Sequence, residues 1–565
     1  MFRRVGLLAA LAAAACCSKS EVKSTGAGVA ADPGSSKPSF TLFAVAELRG
    51  QIGPCGCTTD PLGDLSRTAK LVADARAAGP VLFVDAGSLL YSKAPIPAAL
   101  AAQEELKADL LARTYQQSLK VDALGLGPAD LPAGLPRGLD RLRLPRQAVN
   151  VAEIPAEAPK LVEIGGAKAG VFGVIATGAV TGVKLGDPVA AGKQAVAALR
   201  KQGAQVVIGL VQAENKRDAA KLMRDIGGID LAIAGLGLLA PEPERVEIEA
   251  QHVGDGWLIV PANRGQIVAR VDLTVRGGGG ALVDAIGPAA ASARVAVLDK
   301  QLTAIDADLK AFASDKAADP AFVAQKQRER TQLAADRDRL KAHPLAVPAR
   351  GSYFTLAQVR IAKGLACDVA VQDAVSKFYH ATGEANVKAA ANVAVAPPAK
   401  GQAGYTGTEA CSDCHAEAAE FWQKTVHAKA WATLEERGQQ FDLDCIGCHV
   451  TGWTQPGGAN LGHNDKLRDV QCETCHGPGS IHVAKGGLEK PFAIKLAPAP
   501  DLCATQCHTK EHSDTFQLDA YLRDVVGPGH GAARRAKLGD GPTGAQLRKA
   551  GFDKAGTALG AGCTR

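Results

Sequence analysis

Residues 472–482 read Cys472-Glu-Thr-Cys475-His476-Gly-Pro-Gly-Ser-Ile-His482. Two thiols separated by two residues, with an imidazole directly after the second, make a set with one joint chemistry. The thiols form thioethers with the vinyl groups of a haem, and the histidine then reaches the iron from one face. The same arrangement stands at Cys411-Ser-Asp-Cys414-His415 and at Cys445-Ile-Gly-Cys448-His449. Cys503-Ala-Thr-Gln-Cys507-His508 repeats it with three residues between the cysteines instead of two. Zinc held by Cys-X-X-Cys pairs is the rival reading, but it leaves the histidine after every second cysteine without a purpose. The stretch therefore predicts a multihaem c-type cytochrome domain over 404–531, mainly α and low in regular structure. Haem c is expected at three sites, and at a fourth on Cys503, Cys507 and His508, where a degenerate site with free or paired thiols is the alternative.

The second axial ligand follows by elimination. The chain has two methionines, Met1 and Met223, and neither lies in this region. Nine of its twelve histidines lie at or after His415. Besides the proximal His415, His449, His476 and His508, five are free to act as distal ligands: His427, His463, His482, His512 and His530. Bis-histidine haems of low potential are expected, with room for one five-coordinate site.

Glu409-Ala-Cys411, Trp422, Val426-His427-Ala428-Lys429-Ala430 and the 472–482 stretch resemble the tetrahaem cytochrome c family that includes the electron acceptor of hydroxylamine oxidation. In that family the histidine of the Gly-Pro-Gly-X-X-His segment is a distal ligand to another haem, which implies that role for His482. The resemblance points to His427 as the second distal ligand, and Gly527-Pro-Gly-His530 repeats the turn and makes His530 the third. His463 and His512 are the remaining candidates.

Working outward toward the N-terminus, the pattern changes to short β-branched runs alternating with helical stretches. Phe40–Ala46, Val81–Asp85, Ala169–Ile175, Val206–Val211 and Leu231–Ala234 read as strands, with Ser66–Ala78 and Gly192–Gln202 as helices between them. Such alternation predicts an α/β domain, closing near Val271–Val275 and bounded at 40–280. Its blocks resemble, in order, the metallophosphatase domain of the secreted 5′-nucleotidases, which implies an αββα sandwich. The ligand residues of that family are mostly replaced: Glu47-Leu-Arg49-Gly50, Gly87-Ser88 after Asp85, Gly127-Pro128-Ala129-Asp130, Gln212 and Gly235-Leu236-Gly237-Leu238 stand in their places. Glu47 and Asp85 remain as the acidic remnants. No dimetal centre is expected, because two carboxylates do not hold two ions and an activated hydroxide.

Pro54-Cys55-Gly56-Cys57 follows the first strand, at the strand end where open α/β folds place their chemistry. A Cys-X-Cys disulfide closes a small ring, and exposed strained disulfides are the redox-active ones. Arg49 nearby favours a thiolate, and relatives of the nucleotidase group with Pro-Cys-Gly-Cys or a selenocysteine version support the same role. Cys55 and Cys57 are thus a candidate redox pair, with a soft-metal ligand pair and an inert structural pair as alternatives. Cys367 and Cys563 are left over and available to each other.

The remaining segments are punctuation. Arg3 and Arg4 before an apolar run and a small-residue stretch at 1–17 form an export signal. Its Ala-Ala-Ala-Cys16 resembles the bacterial lipoprotein type, with Cys16 lipidated; an ordinary cleaved signal is the alternative. A tether at 18–39 is Gly/Pro/Ser-rich. Val295, Leu298, Leu302, Ile305, Leu309 and Phe312 form the seam of a helical hairpin over 290–345. A short mixed segment and linker fills 346–400. The tail 532–565 is basic and Gly-rich, with one helix near Gln546–Ala550.

The net charge of +6 over 565 residues is too dilute for a nucleic-acid-binding face. The sum is an exported electron-transfer protein, periplasmic or at the outer membrane of a Gram-negative-type bacterium. It would meet the membrane only through a lipid anchor, and its partners would be redox proteins. Its haems are expected to exchange electrons with Cys55/Cys57, more an oxidoreductase than a hydrolase. A metal-dependent nucleotide hydrolase and a passive electron conduit with an N-terminal docking domain are the two rivals.

Overall fold

Twelve strands in two sheets carry the first part of the chain. In chain order they are β1 (Phe40–Val45), β2 (Val81–Asp85), β3 (Ala123–Leu124), β4 (Lys160–Ile164), β5 (Ala167–Ile175), β6 (Val206–Gln212), β7 (Leu231–Gly235), β8 (Gln251–Val253), β9 (Gly256–Ile259), β10 (Ile267–Thr274), β11 (Val283–Asp284) and β12 (Tyr353–Arg360). The structure is a computed structural model and describes residues 38–54, 57–131, 144–152, 156–176, 183–277, 280–314, 320–490, 494–558 and 562–563. The export signal, Cys16 and Cys55 lie outside the described residues. No helix of the described residues is long and apolar enough to cross a membrane.

One sheet has the order β11-β12-β10-β1-β2-β3, the other β4-β5-β6-β7-β9-β8. β1, β2 and β3 run parallel, as do β5, β6, β7 and β9. The strands are apolar on both faces because both faces are covered. Leu42, Val84, Val271 and Phe354 of the first sheet meet Val171, Ile208 and Ile233 of the second across the middle layer. On the outside of the first sheet lie α1 (Leu65–Ala78) and α2 (Ala101–Gln117), which bury Val72, Leu111 and Tyr115 against Phe43, Phe83 and Val268. The second sheet is covered by α3 (Pro188–Lys201) and α4 (Lys216–Ile226), through Leu199 and Met223 against Phe172 and Val211. The layers are helix, sheet, sheet, helix, as the sequence predicts. Asp64, Asp187 and Asn215 set the helix starts by accepting from first-turn N–H groups that have no partner within the helix.

The hairpin is present as α5 (Gly287–Ser314) and α6 (Pro320–Ala342), packed through Leu298, Leu333 and Leu340. The span 346–400 holds more structure than a linker. β12 pairs along its whole length with β10, and α7 (Val369–Ala390), capped by Asp368, packs Val371 and Phe378 into the outer layer beside α2. The first sheet therefore draws on residues beyond 280.

The haem region is built of short helices: α8 (Glu409–Ser412), α9 (Ala416–Gln423), α10 (Ala430–Glu435), α11 (Cys472–His476), α12 (Ser480–Ala484), α13 (Asp501–Gln506) and α14 (Leu518–Val525). Its own apolar core is small, with Trp431, Ile446, Val450, Ala459 and Leu467 at the centre. The tail differs from the loosely structured extension that its composition suggests. It holds α15 (Ala532–Lys537) and α16 (Gly544–Ala555), the latter started by a reciprocal Thr543–Gln546 capping box. Cys563 then reaches back to form a disulfide with Cys367, their Cα atoms 6.0 Å apart.

Candidate haem sites and the strand-end cluster

The third motif shows how such a site is fixed locally. Glu473, inside Cys472–Cys475, is buried, and its carboxylate accepts from the N–H groups of Thr406 at 3.0 Å, Gly407 at 2.8 Å and Gly479 at 2.7 Å. One side chain thereby pins the start of the domain and the Gly477-Pro478-Gly479 turn to the haem motif. Gly477 takes φ of 85° directly after His476, a left-handed conformation that suits glycine.

Four of the histidines stand in two facing pairs. His415 and His482 have near-parallel rings, tilted by 20°, with centroids 6.4 Å apart. His508 faces His427 at 6.2 Å with a tilt of 40°. Two imidazoles on opposite sides of one metal, each bonded at about 2 Å, place their centroids roughly 6 Å apart. The gaps fit an iron between each pair, so the residues present suit bis-histidine haem. His530 lies within electrostatic reach of His476. No ring faces His449 or His476 in this way among the described residues. Of the other candidates, His463 is exposed and His512 lies near Arg264.

Four of the rings have their Nδ1 held, whereas His530 Nδ1 is buried without a hydrogen-bond partner among the described residues. His482 Nδ1 is 2.9 Å from Glu489 Oε1, His508 Nδ1 is 3.1 Å from Ser513 Oγ, His476 Nδ1 is 2.7 Å from the carbonyl of Lys495, and His449 Nδ1 is 2.5 Å from that of Ala430. Such partners fix ring orientation and raise ligand basicity. Glu489 and Ser513 were not singled out from sequence; an acidic residue seven positions after a ligand carries no recognisable spacing. The motif sulfurs adjoin in a series: Cys411 touches Cys472, Cys475 lies near Cys503, and Cys507 touches Cys448.

At the strand ends of the α/β domain the acidic groups are occupied by protein partners. Glu47 accepts from Arg49 Nε at 2.8 Å and from Gln212 Nε2 at 2.9 Å. Asp85 accepts from Tyr115 Oη at 2.7 Å and from the N–H of Gly87 at 2.8 Å. Burial pushes its carboxyl up to about 8, despite those bonds. Glu47 and Asp85 are not the only buried carboxylates here: Asp130 is equally buried and accepts from the N–H groups of Ser88, Leu89, Leu90 and Gly127. Its place at the end of Gly127-Pro128-Ala129-Asp130 was the signal for it. Glu47, Arg49 and Ser88 all take positive φ, of 54°, 49° and 59°, a cluster of backbone strain of the kind that gathers at functional sites. Leu238, where the nucleotidase pattern has a histidine, points into solvent at 91% exposure.

Of the candidate redox pair, Cys57 is described and half-buried. Its electrostatic neighbours are Arg437, Arg548 and Cys448, and Cys445 counts Cys57 among its own. Burial raises the Cys57 thiol, and the two guanidinium groups work against that.

Residues 410–477 match the sequence profile of the family described as cytochrome c554 and c-prime. Cytochrome c-554 of Nitrosomonas europaea is 39% identical over 91 residues, which span 13% of this chain and 39% of that protein. The match supports a cytochrome role in electron transfer and haem c as the bound group. The reduced structure of the same cytochrome aligns with 22% of this chain and 84% of its own length, at 25% identity and a TM-score of 0.18. A 5′-nucleotidase precursor from Thermus thermophilus aligns with 63% of this chain and 61% of its own, at 16% identity and a TM-score of 0.41. At TM-scores this low it is the layer order, and not the superposition, that describes the fold.

Proposed function

We propose that this protein is an exported, lipid-anchored electron-transfer cytochrome with four c-type haems. They would be attached at Cys411/Cys414, Cys445/Cys448, Cys472/Cys475 and Cys503/Cys507. The pairing of His415 with His482 and of His508 with His427, at the spacing of two axial ligands, carries the reading. Bound there, haem c supplies reversible one-electron chemistry at iron. The residues of the chain do the rest: Glu489, Ser513 and two backbone carbonyls hold the imidazoles of His482, His508, His476 and His449, and the absence of a methionine from the region leaves low-potential ligation.

The α/β domain serves as a scaffold that has lost its two-metal site and carries a dithiol at Cys55 and Cys57. Glu47, Asp85 and Asp130 support this reading, since each is saturated by donors of the protein itself. Oxidation of the dithiol forms one S–S bond and releases two protons to water and two electrons. The two electrons would need two one-electron acceptors, which a pair of haems held by these motifs would supply. Partners are redox proteins in the periplasm or at the outer membrane.

The test is a pyridine haemochrome count with axial-ligand spectroscopy on the natively matured protein. Four haems per chain are expected, falling to three in Cys503→Ser. His427→Ala and His482→Ala should each turn one haem high-spin. A count of three in the native chain, or no spin change in either variant, would refute the assignment concerned.

A further inference from the structure

Thr59, two residues after Cys57, is gripped by the haem region. Its N–H donates to Asp514 Oδ1 at 3.0 Å and its hydroxyl to Oδ2 at 2.6 Å. Asp514 follows Ser513, the residue that holds His508. Thr557 donates to the Thr59 carbonyl, and a Cβ on Gly551 of α16 would stand 2.8 Å from Thr59 Oγ1, so the tail lies directly on this loop. On the other flank, Tyr379 of α7 has its hydroxyl 3.7 Å from where a Cβ on Gly53 would be, and its neighbours include Asp442 and Cys445.

The second motif is clamped from the α/β side as well. Gln103 Nε2 donates to Asp442 Oδ1 at 2.6 Å and Lys107 Nζ to Asp444 Oδ2 at 3.0 Å. Asn386 Nδ2 donates to Gln103 Oε1 at 3.0 Å and to the carbonyl of Phe441 at 2.9 Å. These groups are largely buried and mutually satisfied, which makes the contact specific as well as adhesive. It ends one residue before Cys445. Of the four motifs, this is the one whose cysteines have Cys57 as a neighbour. Its histidine, like His476 of the third motif, has no imidazole facing it at the spacing of the two facing pairs among the described residues.

We propose that the site of Cys445, Cys448 and His449 is the junction at which the α/β domain exchanges electrons with the haem region, that Cys57 is the thiol facing it, and that Asp514 and Lys107 are the positioning residues that hold the two together. This rests on the dithiol reading given under the proposed function. Electron transfer weakens steeply with distance, so the thiol exchanges with the site it adjoins, and only then with the rest of the series.

The test uses the full-length haem-loaded protein. In a Cys55→Ser background, a nitroxide on Cys57 should show relaxation enhancement dominated by one iron. That enhancement should collapse in Cys445→Ser/Cys448→Ser and persist in Cys411→Ser/Cys414→Ser. Should the former variant fail to mature, carboxymethylation of Cys57 provides a second reading: it should shift the potential of the His449 haem and leave the other potentials in place. Asp514 is exposed, so Asp514→Ala should fold. It should slow dithiol-driven haem reduction by about tenfold to a hundredfold, the scale on which small misplacement acts, with haem count and spectra unchanged. Enhancement governed by another haem, or an unchanged rate in Asp514→Ala, would overturn the junction. Thiol titration before and after haem oxidation separates the two ideas. Thiols that never cycle would remove the dithiol reading itself, while cycling thiols far from that haem would remove only the junction.

Discussion

The α/β layers and the haem region solve opposite problems with the same set of residue types. In the layers, three extensive apolar clusters hold the sheets and helices together, and the carboxylates of Glu47, Asp85 and Asp130 at the strand ends are closed by donors of the protein itself. In the haem region the apolar cluster centres on five residues, and the histidines are kept apart, two pairs of them across gaps of 6.2 and 6.4 Å. One part is stabilised by what it buries. The other is arranged around what it binds, since helices of four to eight residues are too short to persist alone. A carboxylate at a strand end and an imidazole in a haem motif thus mean different things, according to whether partners within the protein already satisfy them.

The largest expected effect tests this contrast directly. Replacing the cysteines of the three Cys-X-X-Cys motifs by serine should leave 404–531 open to proteolysis while 40–390 stays resistant and keeps its circular dichroism. Protection of 404–531 in that variant would mean that its small core suffices after all.

A smaller effect concerns the tie between the two parts. Cys367 and Cys563 are 196 residues apart in sequence, and a crosslink over such a span removes about 5 kcal/mol of unfolded-chain entropy on the loop-closure account. Cys367→Ala should therefore lower the unfolding midpoint measured by calorimetry, and the tail 544–563 should become the first segment cut by protease. Haem content should not change.

The smallest effect is a pH dependence confined to the layers. Burial raises Asp85 from 3.8 to about 8. A carboxyl raised in the folded state contributes stability below its unfolded value and loses it as pH rises through the folded one. Denaturant midpoints should thus decline between these limits, and Asp85→Asn should flatten the decline, because asparagine stays neutral throughout. An identical pH profile in the variant would place the titration elsewhere.

Much of this was legible in the residues. β1, β2, β6 and β7 were readable to within a residue or so because they are fully buried β-branched runs, and the haem motifs because their spacing has one chemical use. The segment 346–400 was harder. β12 alternates weakly and is recognisable as a strand only beside β10, a partner some ninety residues away in the chain. The tail was obscured by its glycines and charges, while its order comes from a capping box and a distant cysteine. Asp130 stood in the block Gly127-Pro128-Ala129-Asp130, but its four donors are backbone groups, so no side-chain partner in the sequence marked it as a buried member of the strand-end cluster.

The disulfide has a consequence of a kinetic kind. With the peptide chain leading out of α7 on one side and Cys367–Cys563 on the other, the haem region is moored to the α/β layers at both of its ends. Parts so moored meet at an effective concentration in about the millimolar range, set by the tethers and not by how much protein is present. A modest polar contact such as that of Gln103 and Lys107 with Asp442 and Asp444 then suffices to keep the surfaces together. Any traffic across it is first order, so dilution of the protein would leave its rate untouched.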